Sequence, residues 1–310
     1  KQVQTVFAEL EIERDETVFV SGIGCSSRFP YYMNTYGVHS IHGRGPAFAA
    51  GIKAINPELN LWLISGDGDS LSIGGNHFIH LLRRNIDLNV LLFNNQIYGL
   101  TKGQYSPTSE KGKITKSTPY GSVDHPFNPA ALALGADSTF FARSIDRDPK
   151  HMREVLLRAE QHKGTALVEI YQNCNIFNDG AFFTFTDKTT KSDNVLIVRQ
   201  DEPLIFGKEN EKGIVLDGFN PKIVLLADVS VDDLWIHDEK DRTKAGILSR
   251  FFGDNANDEN ALPRPFGIFY SEDRSTYEEE MLAQVDKHVK VKGEGDLDAL
   301  LRGNNVWEIK

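Results

Sequence analysis

The stretch LWLISGDGDSLSIGG at residues 61–75, followed by LNVLLFNNQIYGL at residues 88–100, decides the fold. Each half begins with a short, continuously apolar run, which is typical of a parallel strand that helices cover on both faces. The first run ends in GDGDS at 66–70, and the second ends in Asn94 and Asn95. Because the carboxyl ends of parallel strands share one edge of a sheet, we expect these polar residues to meet there.

The same kinds of segment alternate along the first two thirds of the chain. Further strands are predicted at 17–21 and 166–171, and helices at 47–55, 74–84 and 150–162. Strands alternating with helices predict an α/β fold with a doubly wound, mainly parallel sheet. In such sheets the functional loops follow the strands, which indicates the loops at 22–28, 66–72, 94–105 and 172–180.

The sequence changes character after residue 194. Polar, turn-rich stretches become frequent, namely DEPLIFGKENEKG at 201–213 and FFGDNANDENALPRP at 251–265. A late helix is predicted to begin at Ser275, with Glu278 completing a capping box. We therefore divide the chain into a domain at 1–194 and an appended C-terminal extension at 195–310, which packs on the sheet or on a partner subunit.

Composition limits the possible partners. The chain has 310 residues, of which 34 are basic and 44 acidic, giving a net charge of −10. This balance disfavours a general attraction to nucleic acid or to an anionic membrane. No apolar run reaches the length of about 18 residues that a membrane span needs, and the first residues lack the features of a signal peptide. We expect a soluble, cytoplasmic protein. Since residue 1 is Lys rather than Met, we also expect that residues precede it.

The polar residues of the deciding stretch suggest an ion beside a phosphate. Gly66 and Gly68 allow the backbone to approach an anionic group closely, and Asp67 and Asn95 offer the hard oxygen ligands that Mg²⁺ prefers. The alternative is a tight turn with a coincidental pair of asparagines. An EF-hand is excluded because Leu71 stands at the fifth position of its loop.

A rival interpretation is a nicotinamide-binding fold. Gly22 and Gly24 follow a predicted strand, as they would in the pattern G-x-G-x-x-G. That pattern needs a third glycine at position 27, where Ser27 stands. The sequence therefore disfavours this class.

The segments GDGDSLSIGGNHFIH and NVLLFNNQIYGLTKGQ resemble the thiamine diphosphate motif of the 2-oxoacid:ferredoxin oxidoreductases. The resemblance is to the beta subunit, specifically of the 2-oxoglutarate type, and implies a thiamine diphosphate-binding fold. It covers at least residues 20–180 and, more weakly, 201–280. It implies that Mg²⁺ is held by Asp67, Asn95 and the main-chain carbonyl of Ile97.

The resemblance also implies which residues surround the cofactor. The residues implied to bind it, besides the metal ligands, are Ser26, His42, Gly43, Gly66, Gly68, Asp69, Ser70 and Gly99. Arg44 would flank the diphosphate together with His42. The alternatives are a core or capping role for His42 and a surface ion pair for Arg44.

Cys25 and Cys174 are the only cysteines of the chain. Composition alone favours two buried thiols over metal ligands. The family resemblance instead implies that both ligate a four-iron four-sulfur cluster. Such a cluster needs four thiolates, and the family's other two lie in a CPGC motif, which would fall before Lys1.

The implied reaction is the oxidative decarboxylation of 2-oxoglutarate to succinyl-CoA, with coenzyme A as co-substrate and electrons passing through the cluster to ferredoxin. A larger alpha subunit would supply the other half of the thiamine site, in a dimer of alpha-beta pairs. The alternatives are pyruvate or another 2-oxoacid as substrate, a non-oxidative thiamine diphosphate decarboxylase or synthase, and a non-catalytic iron–sulfur subunit.

Three residues are candidates for contact with substrate. Arg28 and Lys102 lie in loops at the predicted rim, and two cations there suit a dicarboxylate such as 2-oxoglutarate. The alternative is that both charges meet solvent or the alpha subunit. Leu100 is expected to help to shape the pocket.

Overall fold

The computed structural model describes residues 1–251, 261–307 and 309. Residues 252–260, most of the turn-rich stretch predicted at 251–265, lie outside the described residues. The helices are α1 Gln2–Glu9, α2 Gly45–Ile55, α3 Asp67–Leu71, α4 Gly75–Arg84, α5 Pro129–Gly135, α6 Pro149–Gln161, α7 Phe183–Thr186, α8 Lys191–Asn194, α9 Arg242–Leu248, α10 Tyr277–Lys292 and α11 Leu297–Arg302. The 3₁₀ segments are Arg14–Glu16, Ser26–Tyr32 and Val231–Asp233.

The strands form two sheets. They are β1 Thr17–Ser21, β2 Tyr36–His39, β3 Asn60–Gly66, β4 Leu88–Asn94, β5 Phe140–Ile145, β6 Thr165–Tyr171, β7 Val195–Val198, β8 Ile205–Phe206, β9 Lys212–Asp217, β10 Asn220–Leu225 and β11 Arg264–Ser271. Within the described ranges, the larger sheet has the order β2-β1-β3-β4-β6-β5-β11-β7, and the smaller has the order β10-β9-β8. Neighbours in the larger sheet are parallel except for β11 against β5. The predicted doubly wound, mainly parallel α/β fold is confirmed.

The core lies on both faces of the larger sheet because successive side chains of a strand point in opposite directions. In β1, Val18 and Val20 belong to one apolar cluster, whereas Phe19 belongs to the other. Helices α2, α4 and α5 contribute residues to the first cluster, while α1 and α6 contribute to the second. This covering of both faces explains why the strands are continuous apolar runs.

The region after residue 194 contributes to the same sheet. Strand β7 pairs in parallel with β11, and β11 pairs with β5, so two late strands complete one end of the larger sheet. The division of the chain at residue 194 stays a prediction. The late helix is capped one residue later than predicted, because its capping box consists of Thr276 and Glu279 rather than Ser275 and Glu278.

In the part of the chain that the structure describes, no helix is both long and apolar enough to cross a bilayer.

Candidate active site

The loops that follow β1, β3, β4 and β6 surround one cavity of about 960 Å³ at the carboxyl edge of the larger sheet. These are the four loops in which sequence analysis placed function. The cavity is lined, among others, by Cys25, Ser26, His42, Asp67, Asn95, Ile97, Tyr98 and Cys174. The sheet topology therefore assembles residues that are far apart in sequence, as expected for a doubly wound fold.

Asp67 and Asp69 both line this cavity, and Asp67 is only 2% exposed. The hydroxyls of Ser106 and Thr108 each lie 2.5 Å from its Oδ2 atom and donate hydrogen bonds to it. Burial raises the pKa of the Asp67 carboxyl above its ordinary value, against these hydrogen bonds, which lower it. Burying a charged carboxylate costs free energy, and a bound cation offsets that cost. Asp67 is therefore suited to ligate a cation.

The two asparagines at the end of β4 have different positions. Asn95 lines the cavity, and its Oδ1 atom accepts a hydrogen bond of 3.2 Å from the backbone N–H of Ile97. Asn94 is buried, and its amide donates to Glu169 Oε1 at 2.8 Å. Glu169 is itself paired with the buried Arg143 at 2.7 Å. Asn95 is therefore the asparagine that is available to a ligand, while Asn94 belongs to a buried polar network.

Asp69 lines the cavity and also joins three of the loops through its hydrogen bonds. Its Oδ1 atom lies 2.6 Å from His42 Nδ1 and accepts hydrogen bonds from the backbone N–H of Gly43 at 2.7 Å and of Ile23 at 3.2 Å. Its Oδ2 atom accepts a hydrogen bond of 2.7 Å from Ser65. Asp69 thus fixes the loops after β1 and β2 against the GDGDS turn.

Close backbone approach is required at Gly43 and Gly68. A Cβ atom on Gly68 would lie 2.2 Å from the ring of Tyr98, whose hydroxyl donates to the Gly68 carbonyl at 3.0 Å. Gly43 has a φ of +68°, and a Cβ atom there would lie 2.6 Å from the backbone nitrogen of Gly74. A side chain at Gly68 would collide with the Tyr98 ring, and one at Gly43 would collide with the backbone of Gly74.

The cavity has the features that a diphosphate with a divalent cation requires. Asp67 and Asn95 provide hard oxygen atoms on one wall. Among the described residues, the buried Ser26 Oγ has no hydrogen-bond partner, and it lies 3.4 Å from the position that a Cβ atom on Gly66 would occupy. A ligand in the cavity would give this hydroxyl a partner. The residues present therefore fit the cofactor.

The thiols of both cysteines lie close to Gly99. A Cβ atom on Gly99 would be 3.2 Å from Cys25 Sγ and 3.9 Å from Cys174 Sγ. Cys25 is exposed and Cys174 is partly exposed, so the expectation of two buried thiols from composition is wrong. Among the described residues, no group of three or more His, Cys, Asp or Glu side chains could hold a metal ion. The described part of the chain supplies two thiols beside Gly99, those of Cys25 and Cys174.

The remaining predicted site residues differ in their relation to the cavity. Leu100 lines the cavity and is 61% exposed. Ser70 is buried and donates to Ser65 Oγ at 2.7 Å. Arg28 and Lys102 are both exposed, and the Arg28 guanidinium lies 6.0 Å from the centre of the Tyr32 ring. The structure does not place the Ser70, Arg28 or Lys102 side chains in the described wall of the cavity.

Arg44 lies away from the cavity wall that the structure describes, and its guanidinium donates to the carbonyl of Ile73 at 3.2 Å. That contact is to a backbone carbonyl in the loop after the GDGDS turn. The predicted place of Arg44 beside a diphosphate, and the alternative of a surface ion pair, both stay predictions.

Sequence reasoning missed four residues of this site. Ser106 and Thr108 contact Asp67, Tyr98 contacts Gly68, and Asn178 donates to the backbone carbonyl of Asn95 at 3.0 Å. The available signal was the hydroxyl-rich segment YSPTS at 105–109, directly after the loop that follows β4. Asn178 lies at the end of the loop that carries Cys174 and had no comparable signal.

Comparison with known proteins agrees with this geometry. The family model described as the C-terminal TPP-binding domain of thiamine pyrophosphate enzymes matches residues 22–170. The chain is 49% identical to the 2-oxoglutarate oxidoreductase subunit KorB of Mycobacterium tuberculosis over 99% of this chain and 82% of that protein. It is 49% identical to the beta subunit of 2-oxoacid:ferredoxin oxidoreductase 1 of Aeropyrum pernix, over 57% of this chain and 56% of that protein.

A solved structure matches over nearly the whole chain. It is the 2-oxoglutarate:ferredoxin oxidoreductase from Magnetococcus marinus with 2-oxoglutarate, coenzyme A and succinyl-CoA bound. The TM-score is 0.74 at 30% sequence identity, over 97% of this chain and 86% of the other. The match extends through the region after residue 194, which the family model does not cover.

Proposed function

Because the chain belongs to the family of 2-oxoacid:ferredoxin oxidoreductase beta subunits, we propose that it is the thiamine diphosphate-binding subunit of a 2-oxoglutarate:ferredoxin oxidoreductase. The reaction converts 2-oxoglutarate and coenzyme A to succinyl-CoA and carbon dioxide, and transfers two electrons, one at a time, to ferredoxin. The observation that carries the proposal is the cavity in which Asp67 and Asn95 lie beside the thiols of Cys25 and Cys174.

In this proposal the chain's own residues hold the diphosphate end of the cofactor. Asp67, Asn95 and the carbonyl of Ile97 ligate Mg²⁺, which offsets the negative charge of the diphosphate. Gly68 would lie beside the diphosphate, and Ser26 would donate to it from the facing loop. When bound, the cofactor supplies the nucleophilic carbon and the electron sink for decarboxylation.

The cysteines serve electron transfer. Cys25 and Cys174 would be two of the four thiolate ligands that a 4Fe-4S cluster needs. Support for this comes from Gly99, because both thiols lie near it and it is only two residues after Ile97 in the chain. The proposed Mg²⁺ ligand Ile97 and the two thiols therefore lie close together, which suits electron transfer from the cofactor to the cluster.

The cavity also fits a partner subunit at its mouth. Its outer wall carries exposed apolar side chains, of which Ile23 is 41%, Leu100 61%, Ile176 73% and Phe177 40% exposed. A contiguous exposed apolar surface is typical of an interaction site. The larger alpha subunit covers it and supplies the remaining half of the thiamine site. We place the resulting dimer of alpha-beta pairs in the cytoplasm.

The substrate is proposed to be 2-oxoglutarate, with Arg28 and Lys102 as the cations for its two carboxylates. Both side chains are exposed at the edge of the loops that bound the cavity, so they would reach the substrate from the rim. Leu100 would contribute apolar surface between them. Pyruvate, which has one carboxylate, would leave one cation without a partner.

The experiment is an assay of the chain coexpressed with its alpha subunit and purified without oxygen. We expect reduction of ferredoxin that requires both coenzyme A and 2-oxoglutarate, with pyruvate a poorer substrate. Carbon dioxide release without acceptor reduction, and independent of coenzyme A, would instead identify a non-oxidative decarboxylase. Faster turnover of pyruvate would overturn the substrate, although not the reaction class.

A further inference from the structure

The segment YSPTS at 105–109 forms a compact turn of hydroxyl groups behind the cavity wall. Ser106, Thr108 and Ser109 are between 1% and 3% exposed. The backbone N–H of Ser106 donates to Ser109 Oγ at 2.8 Å, and Ser109 Oγ donates to the carbonyl of Gln96 at 2.6 Å. The turn is therefore attached to the loop that carries Asn95.

The same turn contacts the other proposed metal ligand. Ser106 Oγ and Thr108 Oγ1 converge on one atom, Asp67 Oδ2, each at 2.5 Å. Hydrogen bonds from hydroxyls to a carboxylate are short and about twice as strong as those between neutral groups. Two of them on one oxygen atom fix the rotation of the Asp67 carboxylate.

The direction of the Thr108 proton follows from its neighbours. Thr108 Oγ1 also lies 2.9 Å from Asn94 Oδ1, but a hydroxyl has a single proton to donate. Asn94 Oδ1 already accepts a hydrogen bond of 3.3 Å from the backbone N–H of Gln96. The Asn94 amide is in turn held by Glu169. The charged Asp67 carboxylate is the stronger acceptor, so the Thr108 proton points to it.

We propose that Ser106 and Thr108 are positioning residues of the Mg²⁺ site: their hydroxyls hold Asp67 in the orientation that binds the cation, and Ser109 fixes the same turn to the Asn95 loop. This inference rests on the proposed function, since it assumes that Asp67 ligates Mg²⁺ beside the diphosphate. Groups that orient a metal ligand typically change metal affinity by about 10- to 100-fold when they are removed.

The test measures Mg²⁺ affinity in the assembled complex after its cofactor has been removed. Mg²⁺ is titrated by calorimetry in the presence of saturating thiamine diphosphate. We expect Thr108→Val and Ser106→Ala each to weaken Mg²⁺ binding by about tenfold or more. Thr108→Ser should restore affinity close to wild type, because it keeps the hydroxyl. The matched control is Thr115→Val, whose hydroxyl lies 2.7 Å from that of Thr118 within its own loop.

The possible outcomes separate this inference from the proposed function. Wild-type Mg²⁺ affinity in both Thr108→Val and Ser106→Ala would overturn the inference and leave the proposed function intact. Equal losses in Thr108→Val and Thr108→Ser would also overturn it, because they would show that packing rather than the hydroxyl matters. If Thr108→Val does not assemble, Ser106→Ala decides. Failure of the wild-type complex to bind thiamine diphosphate with Mg²⁺ would instead contradict the proposed function.

Discussion

The two ends of strands β3 and β4 carry similar groups in different surroundings. At the carboxyl ends, Asp67 and Asn95 line the large cavity. At the amino ends, Asn60 and Asn89 donate to the carboxylate of Glu160 on α6, the latter at 2.6 Å. Burial raises the pKa of both carboxyls, that of Glu160 from 4.5 to about 7.

The two ends differ in the space beside the carboxylate. Asparagine side chains occupy both oxygen atoms of Glu160, so no ligand is needed there. At the other end, the cavity of about 960 Å³ lies beside Asp67. A raised pKa and a pair of asparagines therefore do not identify a binding site unless the loops beside them leave room for a ligand.

The sharpest contrast between the two ends is cofactor binding. We expect Asp67→Ala to weaken Mg²⁺-dependent binding of thiamine diphosphate by about 100-fold or more, because the diphosphate loses the cation that offsets its charge. Glu160→Gln, at the amino end, should bind the cofactor as wild type does. Calorimetry on the assembled complex measures both, and equal affinities in the two variants would contradict the distinction between the ends.

The next largest effect concerns the thiols at the cavity. Cys25→Ala should remove the reduced-cluster signal in electron paramagnetic resonance and abolish ferredoxin reduction, since alanine cannot replace a thiolate ligand. We expect the same two losses in Cys174→Ala. An unchanged signal in either variant would show that its thiol is not a cluster ligand.

A smaller effect is expected at the rim of the carboxyl end. Replacing Arg28 or Lys102 singly with Ala should lower kcat/KM for 2-oxoglutarate by about tenfold or more, as is typical for loss of a hydrogen bond to a charged group, with less effect on pyruvate. The ratio of kcat/KM values for the two substrates measures this. Equal losses for both substrates would show that neither cation binds the distal carboxylate.

The smallest expected effect is at the amino end, where the protonation of Glu160 changes the free energy of unfolding. With a folded-state pKa of about 7 against an ordinary 4.5, Glu160 stabilises the fold fully below pH 4.5, and that contribution is lost as pH rises through 7. It amounts to about 3 kcal/mol at most. Glu160→Gln stays neutral, so its melting temperature should fall less than that of wild type between pH 5 and pH 8. Parallel pH profiles for the two proteins would contradict this.

Much of the fold followed from the sequence because its central strands are buried on both faces. β1, β3, β4 and β6 are continuous apolar runs, and each was predicted to within a residue or two. β2, YGVH at Tyr36–His39, was missed because it is short and mostly exposed. The place of β11 beside β5 depends on pairing across more than a hundred residues, which no local pattern contains.

The candidate site was predictable only where a motif marks it. Asp67 and Asn95 follow strands and were found, and the structure adds that Asn94 belongs to a buried network with Glu169. Ser106 and Thr108 were missed because hydroxyl residues are common in loops, and their contact with Asp67 spans about forty positions. The contacts of Asp69 with His42, Gly43 and Ile23 could not be predicted, because no local pattern shows which loops meet in space.

The most direct test of the account is a cryo-electron microscopy map of the assembled complex with Mg²⁺ and thiamine diphosphate. The account predicts the cation at the carboxyl end of β3 and β4, about 2.0–2.1 Å from oxygen atoms of Asp67, Asn95 and Ile97, with the diphosphate beside Gly68. A diphosphate bound elsewhere, or a cation that Asp67 does not touch, would contradict it.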